Sequence, residues 1–166
     1  MPVQFTGSLD PGQYEVWTTY GWNREFLMEW SVRPRPGQIG EVALRALAVE
    51  ATDDGTLTYW LTVWNVGQQS VDFEALYSAV TTAQNVIDDP SGAYTLGAGG
   101  TLGLQWDLGV APTLLALVAI PQVTGAVFEC STPSVQLNAD GTATYFFTVT
   151  NTGAATASFR LRAGLT

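Results

Sequence analysis

The sequence predicts an all-β protein made of two pseudo-symmetric β-sandwiches that arose by internal duplication. Three observations carry this reading. The stretch "DGTLTYWLTVWNVG", from Asp54, returns 86 positions later as "DGTATYFFTVTNTG", from Asp140. In both copies Thr alternates with large apolar residues, the period of a half-buried strand. Turn signals recur every ten residues or so, which suits many short antiparallel strands and not βαβ units.

The repeat sets the boundaries. Between Asp54–Phe73 and Asp140–Phe159, ten of twenty aligned pairs are identical, among them Asp54/Asp140, Gly55/Gly141, Asn65/Asn151, Gly67/Gly153 and Phe73/Phe159. Upstream, "SLDPG" at Ser8 answers "TLGAG" at Thr95, and Pro34 answers Pro121. A tandem unit of ~80 residues follows, with units at 1–86 and 87–166.

Taken in order, the chain starts with "SLDPG" and the strand it leads into. "TTYGWN", from Thr18, reads as a Gly turn that presents Tyr20 and Trp22 at a loop tip. "SVRPRPGQ", from Ser31, reads as an extended Pro-rich linker. Asp54-Gly55 predicts a hairpin with a type I′ turn. After it, "TLTYWLTVW" is a strand with Leu57, Tyr59, Leu61 and Val63 on one face and Thr58, Trp60, Thr62 and Trp64 on the other. Asn65-x-Gly67 makes the next turn, and "SVDFEALYS" the next strand. "YSAVTTAQNVI", from Tyr77, is the one stretch with helical capacity and is read as a loop or edge strand. "VAPTLLALVAIPQV", from Val110, is broken by Pro112 and Pro121 and is too short to span a bilayer; it is read as buried strand.

"GTATYFFTVTNTGAATASFRL" resembles the opening hairpin of CARDB-type immunoglobulin-like modules, and "LDPGQYEVWTTYGW" and "LGAGGTLGLQW" resemble their later strand entry. The resemblance implies two immunoglobulin-like sandwiches, a non-catalytic adhesion or spacer role, and an extracellular or surface location. The order of the pieces is inverted relative to those modules. Two pairings satisfy it. Each unit is a permuted sandwich, or residues 39–121 form one sandwich and 1–38 with 122–166 form the other.

Composition narrows the function. The net charge is −9, and all six basic residues are Arg. Without a basic cluster, a nucleic-acid backbone or an anionic membrane surface has nothing to bind. Histidine is absent, which removes Ser-His-Asp and Cys-His catalysis and imidazole-ligated metals. The single cysteine, Cys130, precludes an intrachain disulfide and reads as a small buried hydrophobe. The N-terminal stretch lacks the basic and apolar regions of a secretory signal. No cofactor or metal site is expected. The acidic pairs Asp53-Asp54 and Asp88-Asp89 read as turn caps, although calcium accepts such oxygens.

The aromatics are the candidate site. Trp60 and Trp64 share the polar face of one strand, about 13 Å apart. Together with Trp22, Tyr20 and Arg24 they are the candidate ligand-binding residues, since aromatic faces stack on sugars or bury in partners. The sequence therefore points to a non-catalytic binding or adhesion protein whose ligand is a carbohydrate or a protein. The alternative is a structural subunit that uses the same aromatics against copies of itself, as a homo-oligomer or filament.

Overall fold

The computed structural model describes residues 1–80, 86–107, 114–131 and 133–165. It is all-β, with no helix among the described residues. The first half carries β1 (Val3–Leu9), β2 (Tyr14–Asn23), β3 (Leu27–Pro34), β4 (Val42–Ala51), β5 (Thr56–Asn65) and β6 (Val71–Val80). The second carries β7 (Val86–Leu96), β8 (Thr101–Asp107), β9 (Leu114–Pro121), β10 (Val127–Ser131), β11 (Ser134–Leu137), β12 (Ala143–Asn151) and β13 (Ala157–Leu165).

These strands form three antiparallel sheets. Two are three-stranded, in the orders β1-β6-β3 and β7-β13-β9. The third runs β11-β12-β10-β4-β5-β2, with β8 on the other side of β12. Among the described residues, β1, β2 and β3 pair with β5 and β6, and not with strands of 122–166. The halves meet where β10 pairs with β4, from Val127↔Glu50 to Ser131↔Ala46.

Two apolar layers lie beneath the large sheet. Leu57, Tyr59, Leu61 and Val63 of β5 are fully buried and pack with Leu27, Met28 and Trp30 of β3 and Phe73 of β6. Phe128, Phe147 and Val149 pack with Phe159, Leu161 and Ala163. β9 serves both layers. Its Ala116, Val118 and Ile120 join the first, and Leu117 and Ala119 the second. That double burial is why "LLALVAI" reads as an unbroken apolar run and not an alternation. Cys130 faces the second layer at 5% exposure, and burial pushes its thiol up to about 12.

Bonds at the turns recur between the halves. Gly12 N–H donates to the Asn65 carbonyl and Asn65 N–H to that of Gln13; Gly99 and Asn151 do the same with Asn151 and Gly100. Arg35 N–H, just past β3, reaches the Asp72 carbonyl, and Gln122 N–H, just past β9, reaches that of Ser158.

Two local expectations need correction, and a third is met only in part by the described residues. The hairpin at Asp54-Gly55 is not a type I′ turn. That turn needs positive φ at two central residues, whereas no described residue except glycine has positive φ. Gly55 (φ 80) instead closes a type I turn, with its N–H on the Thr52 carbonyl and Thr52 N–H on that of Thr56. Gly141 (φ 85) does the same after Asn138. The supposed linker at Ser31 is strand as far as Pro34, paired with β6 as Ser31↔Leu76 to Pro34↔Phe73. There Arg33 forms an ion pair with Glu74 at 2.9 Å. In the stretch from Tyr77, residues up to Val80 belong to β6 and Val86 opens β7. Residues 81–85 lie outside the described residues.

Candidate functional site

β5 turns its apolar face inward, so its other face looks out from the large sheet. Trp60 and Trp64 lie there, 36% and 38% exposed. Pairing with β2 sets Tyr14 beside Trp64, Val16 beside Thr62 and Thr18 beside Trp60. Tyr14 and Val16 are also exposed. On the opposite flank β4 places Ala43 beside Trp64 and Ala48 beside Trp60. Small neighbours on one side and half-exposed rings on the other make a shallow aromatic strip across three strands.

Two charged side chains hold the rings. The Arg45 guanidinium sits 5.2 Å from the Tyr14 ring centre and 5.7 Å from that of Trp64. A cation over two rings is attracted by both quadrupoles. Arg45 falls at the register shift between Leu44 and Ala46. Trp60 Nε1 donates to Glu50 Oε2 at 3.2 Å. Tyr14, Arg45 and Glu50 were not among the residues that sequence singles out. The parity of Tyr14, Val16 and Thr18 was a usable signal for the first. Arg45 and Glu50 depend on cross-strand register, which a single strand's pattern does not carry.

The other expected site residues are elsewhere. "TTYGWN" is not a loop tip but the last six residues of β2. Thr19 opposes Tyr59 and Trp22 opposes Leu57, so two residues, Tyr20 and Gly21, bulge opposite one. Gly21 (φ 79) makes the bulge, which reverses the strand's facing. Tyr20 is left 81% exposed. Trp22 turns inward, edge-on to Trp30 at 5.4 Å and to Tyr77 at 5.1 Å, with Nε1 donating to Thr19 Oγ1 at 2.9 Å. Trp17 likewise stacks on Phe5 at 5.1 Å.

Arg24 sits where the two halves meet. Its Nη2 donates to the Pro121 carbonyl at 2.7 Å, and its own carbonyl accepts from Arg162 Nη1 at 3.0 Å. Arg162 also grips Asp88, Nε to Oδ1 at 2.6 Å and Nη2 to Oδ2 at 3.1 Å. The Arg162 bond holds the Asp88 carboxyl below its ordinary range. Asp54 and Asp140 are turn caps, each accepting from the N–H and hydroxyl of the Thr two residues on.

Among the described residues no helix is long and apolar enough to cross a membrane. Comparison with protein-family models, with curated proteins and with solved structures finds no match for this chain.

Proposed function

We propose that this protein is a non-catalytic binding module, built as two immunoglobulin-like β-sandwiches by duplication, with a carbohydrate as its ligand class. The duplication reading rests on the sequence repeat together with the turn bonds that recur between the halves. The binding reading rests on one observation: Trp60, Trp64 and Tyr14 share an outward sheet face, with Arg45 packed against two of those rings and Glu50 bonded to the third. Rings already fixed in place lose little freedom when a ligand stacks on them. A shallow strip suits the flat faces of sugar rings, and Glu50 and Arg45 sit beside it to meet hydroxyl groups. The lack of histidine and of a nucleophile motif supports a role without catalysis.

The test is a glycan array followed by titration of the hit, read by tryptophan emission. Trp60→Ala and Trp64→Ala should each weaken binding by about 1–3 kcal/mol while the melting temperature stays near that of the parent. Trp22→Phe should leave affinity unchanged. An array with no hit, or a hit whose affinity survives the Trp60→Ala/Trp64→Ala double variant, overturns this reading.

A second reading uses the same face for self-association. It is supported by the apolar row Tyr14, Val16, Trp60 and Trp64, all exposed in the single chain. Light scattering across a concentration series separates the two. A monomer at every concentration removes self-association, and a mass that grows and falls back on Trp64→Ala favours it.

A further inference from the structure

Half of the chain's cationic side chains meet in one place. Arg24, Arg160 and Arg162, three of six arginines in a chain without lysine, line a cleft of roughly 150 Å³ between the turn after β2 and one face of β13. Leu161 is buried in the second apolar layer, so its neighbours Arg160 and Arg162 turn to the opposite face of the strand. Among the described residues the lining holds two carboxylates, Glu25 and Asp88, against three guanidiniums. The net charge of −9 belongs to the whole chain and is screened beyond about 8 Å at physiological salt. The local excess of positive charge therefore decides what this cleft attracts.

Two of the three arginines are already engaged. Arg162 grips Asp88 and the Arg24 carbonyl, and Arg24 Nη2 is held by the Pro121 carbonyl at 2.7 Å. The guanidinium of Arg160 makes no hydrogen bond or ion pair among the described residues. The repeat shows what it lacks. Arg160 stands 86 positions after Glu74, and Pro121 answers Pro34, so Ile120 answers Arg33. In the first half Glu74 and Arg33 are cross-strand partners joined by an ion pair at 2.9 Å. In the second half the same two positions hold Arg160 and Ile120, again cross-strand partners. Across its other edge Arg160 meets Ala93. The counter-charge present in one half is gone from the other, and a fork of five N–H donors is left beside the cleft.

We infer that this cleft is a second binding site, separate from the aromatic strip, for a compact oxyanion of the phosphate or carboxylate class, held by Arg160 and by Arg24. A guanidinium fork matches two oxygens of either group. Drug-sized ligands fill about 300 Å³ or more, so the size of the cleft selects an anion of few atoms. An anion bound here joins the turn after β2 in the first half to β13 in the second.

Inorganic phosphate and acetate are titrated separately into the full chain at constant ionic strength, set with sodium chloride. Binding is followed by proton–nitrogen NMR of the arginine Nε–H groups, assigned through bonds. At least one of the two anions should move the Arg160 and Arg24 signals saturably and leave those of Arg33, Arg35 and Arg45 in place. The anion that binds more tightly identifies the class. Arg160 is exposed, so its variants should fold, and their melting temperatures check this. In Arg160→Glu, which restores the acid that the first half carries, the Arg24 shift should disappear. In Arg160→Lys the charge stays and the fork is lost, so affinity should fall by about tenfold. Shifts that never saturate with either anion, or that are equal at all the arginines, overturn the inference. So does an Arg24 shift that survives in folded Arg160→Glu.

Discussion

The Asn65 side-chain amide donates to the carbonyl of Leu9, 3.0 Å away at the end of a strand in the facing sheet. A second donation, at 2.8 Å, goes to the Gln69 carbonyl, and Oδ1 accepts from Gly67 N–H. Asn151 repeats all three bonds with Leu96, Ala155 and Gly153. Both amides are fully buried. The Asn of each Asn-x-Gly turn is thus a bolt between the large sheet and a small one. Asn65→Ala strands two carbonyls and an N–H, each worth about 1–3 kcal/mol when left unpaired. The expected result is a fall in the urea midpoint equivalent to at least about 2 kcal/mol, and Asn151→Ala should behave alike. A change for either within about 0.5 kcal/mol, the ordinary effect of a surface substitution, would refute the bolt.

Gly7 is a matter of space. A Cβ there would sit 2.6 Å from Trp17 Cζ2 and 2.7 Å from Phe73 Cε1. Those rings are locked together, with Trp17 stacked on Phe5 and edge-on to Phe73 at 5.7 Å. Phe73 is fully buried and cannot swing away. Gly7→Ala should therefore destabilise the chain by about 1–3 kcal/mol through overpacking. Gly103→Ala, which meets nothing within 4 Å, is the matched control. Thermal melts of the two variants decide it, and equal melting temperatures would rule out the clash.

Stability should fall in acid because of the turn caps. The hydroxyls of Thr52 and Thr56, with Thr56 N–H, lower the Asp54 carboxyl from 3.8 to about 2. Thr142 lowers that of Asp140 in the same way. The folded value lies below the unfolded one, so the contribution is complete above the unfolded value and is lost as pH falls from near 3.8 through about 2. Melting temperature followed between neutral pH and that window should drop for the parent. The Asp54→Asn/Asp140→Asn variant should start lower and drop less. Parallel curves would show that the caps do not couple folding to protons.

Much of this fold was legible because β5 and β12 keep strict alternation. Leu57, Tyr59, Leu61 and Val63 went inward, as their period of two requires. What alternation cannot report is an inserted residue. The bulge at Tyr20-Gly21 reverses the facing of β2, so Trp22, which reads as a loop-tip contact, is an interior ring. β9 fails the pattern for another reason, since a strand buried on both faces has no polar side to announce its direction. Half of the aromatic strip, Trp60 and Trp64, was visible in one strand. Its partners Tyr14 and Arg45 come from two other strands, and only their register brings them together.

The junction between halves should depend on Arg162 more than on the ion pair it forms. Arg162 bonds both Asp88 and the carbonyl of Arg24, and Arg24 in turn reaches Pro121. The side chain of Arg162 is 21% exposed, whereas that of Asp88 is 54% exposed and readily solvated. An exposed ion pair contributes little, about 0–1 kcal/mol. A half-buried carbonyl that loses a charged donor costs more, about 1–3 kcal/mol. Arg162→Ala should therefore destabilise more than Asp88→Ala, and Arg24→Ala should fall between them while leaving affinity at the aromatic strip unchanged. Urea unfolding of the three variants and of the Asp88→Ala/Arg162→Ala pair gives the coupling energy directly. If Asp88→Ala costs as much as Arg162→Ala, the ion pair itself holds the junction and the carbonyl bond to Arg24 is incidental.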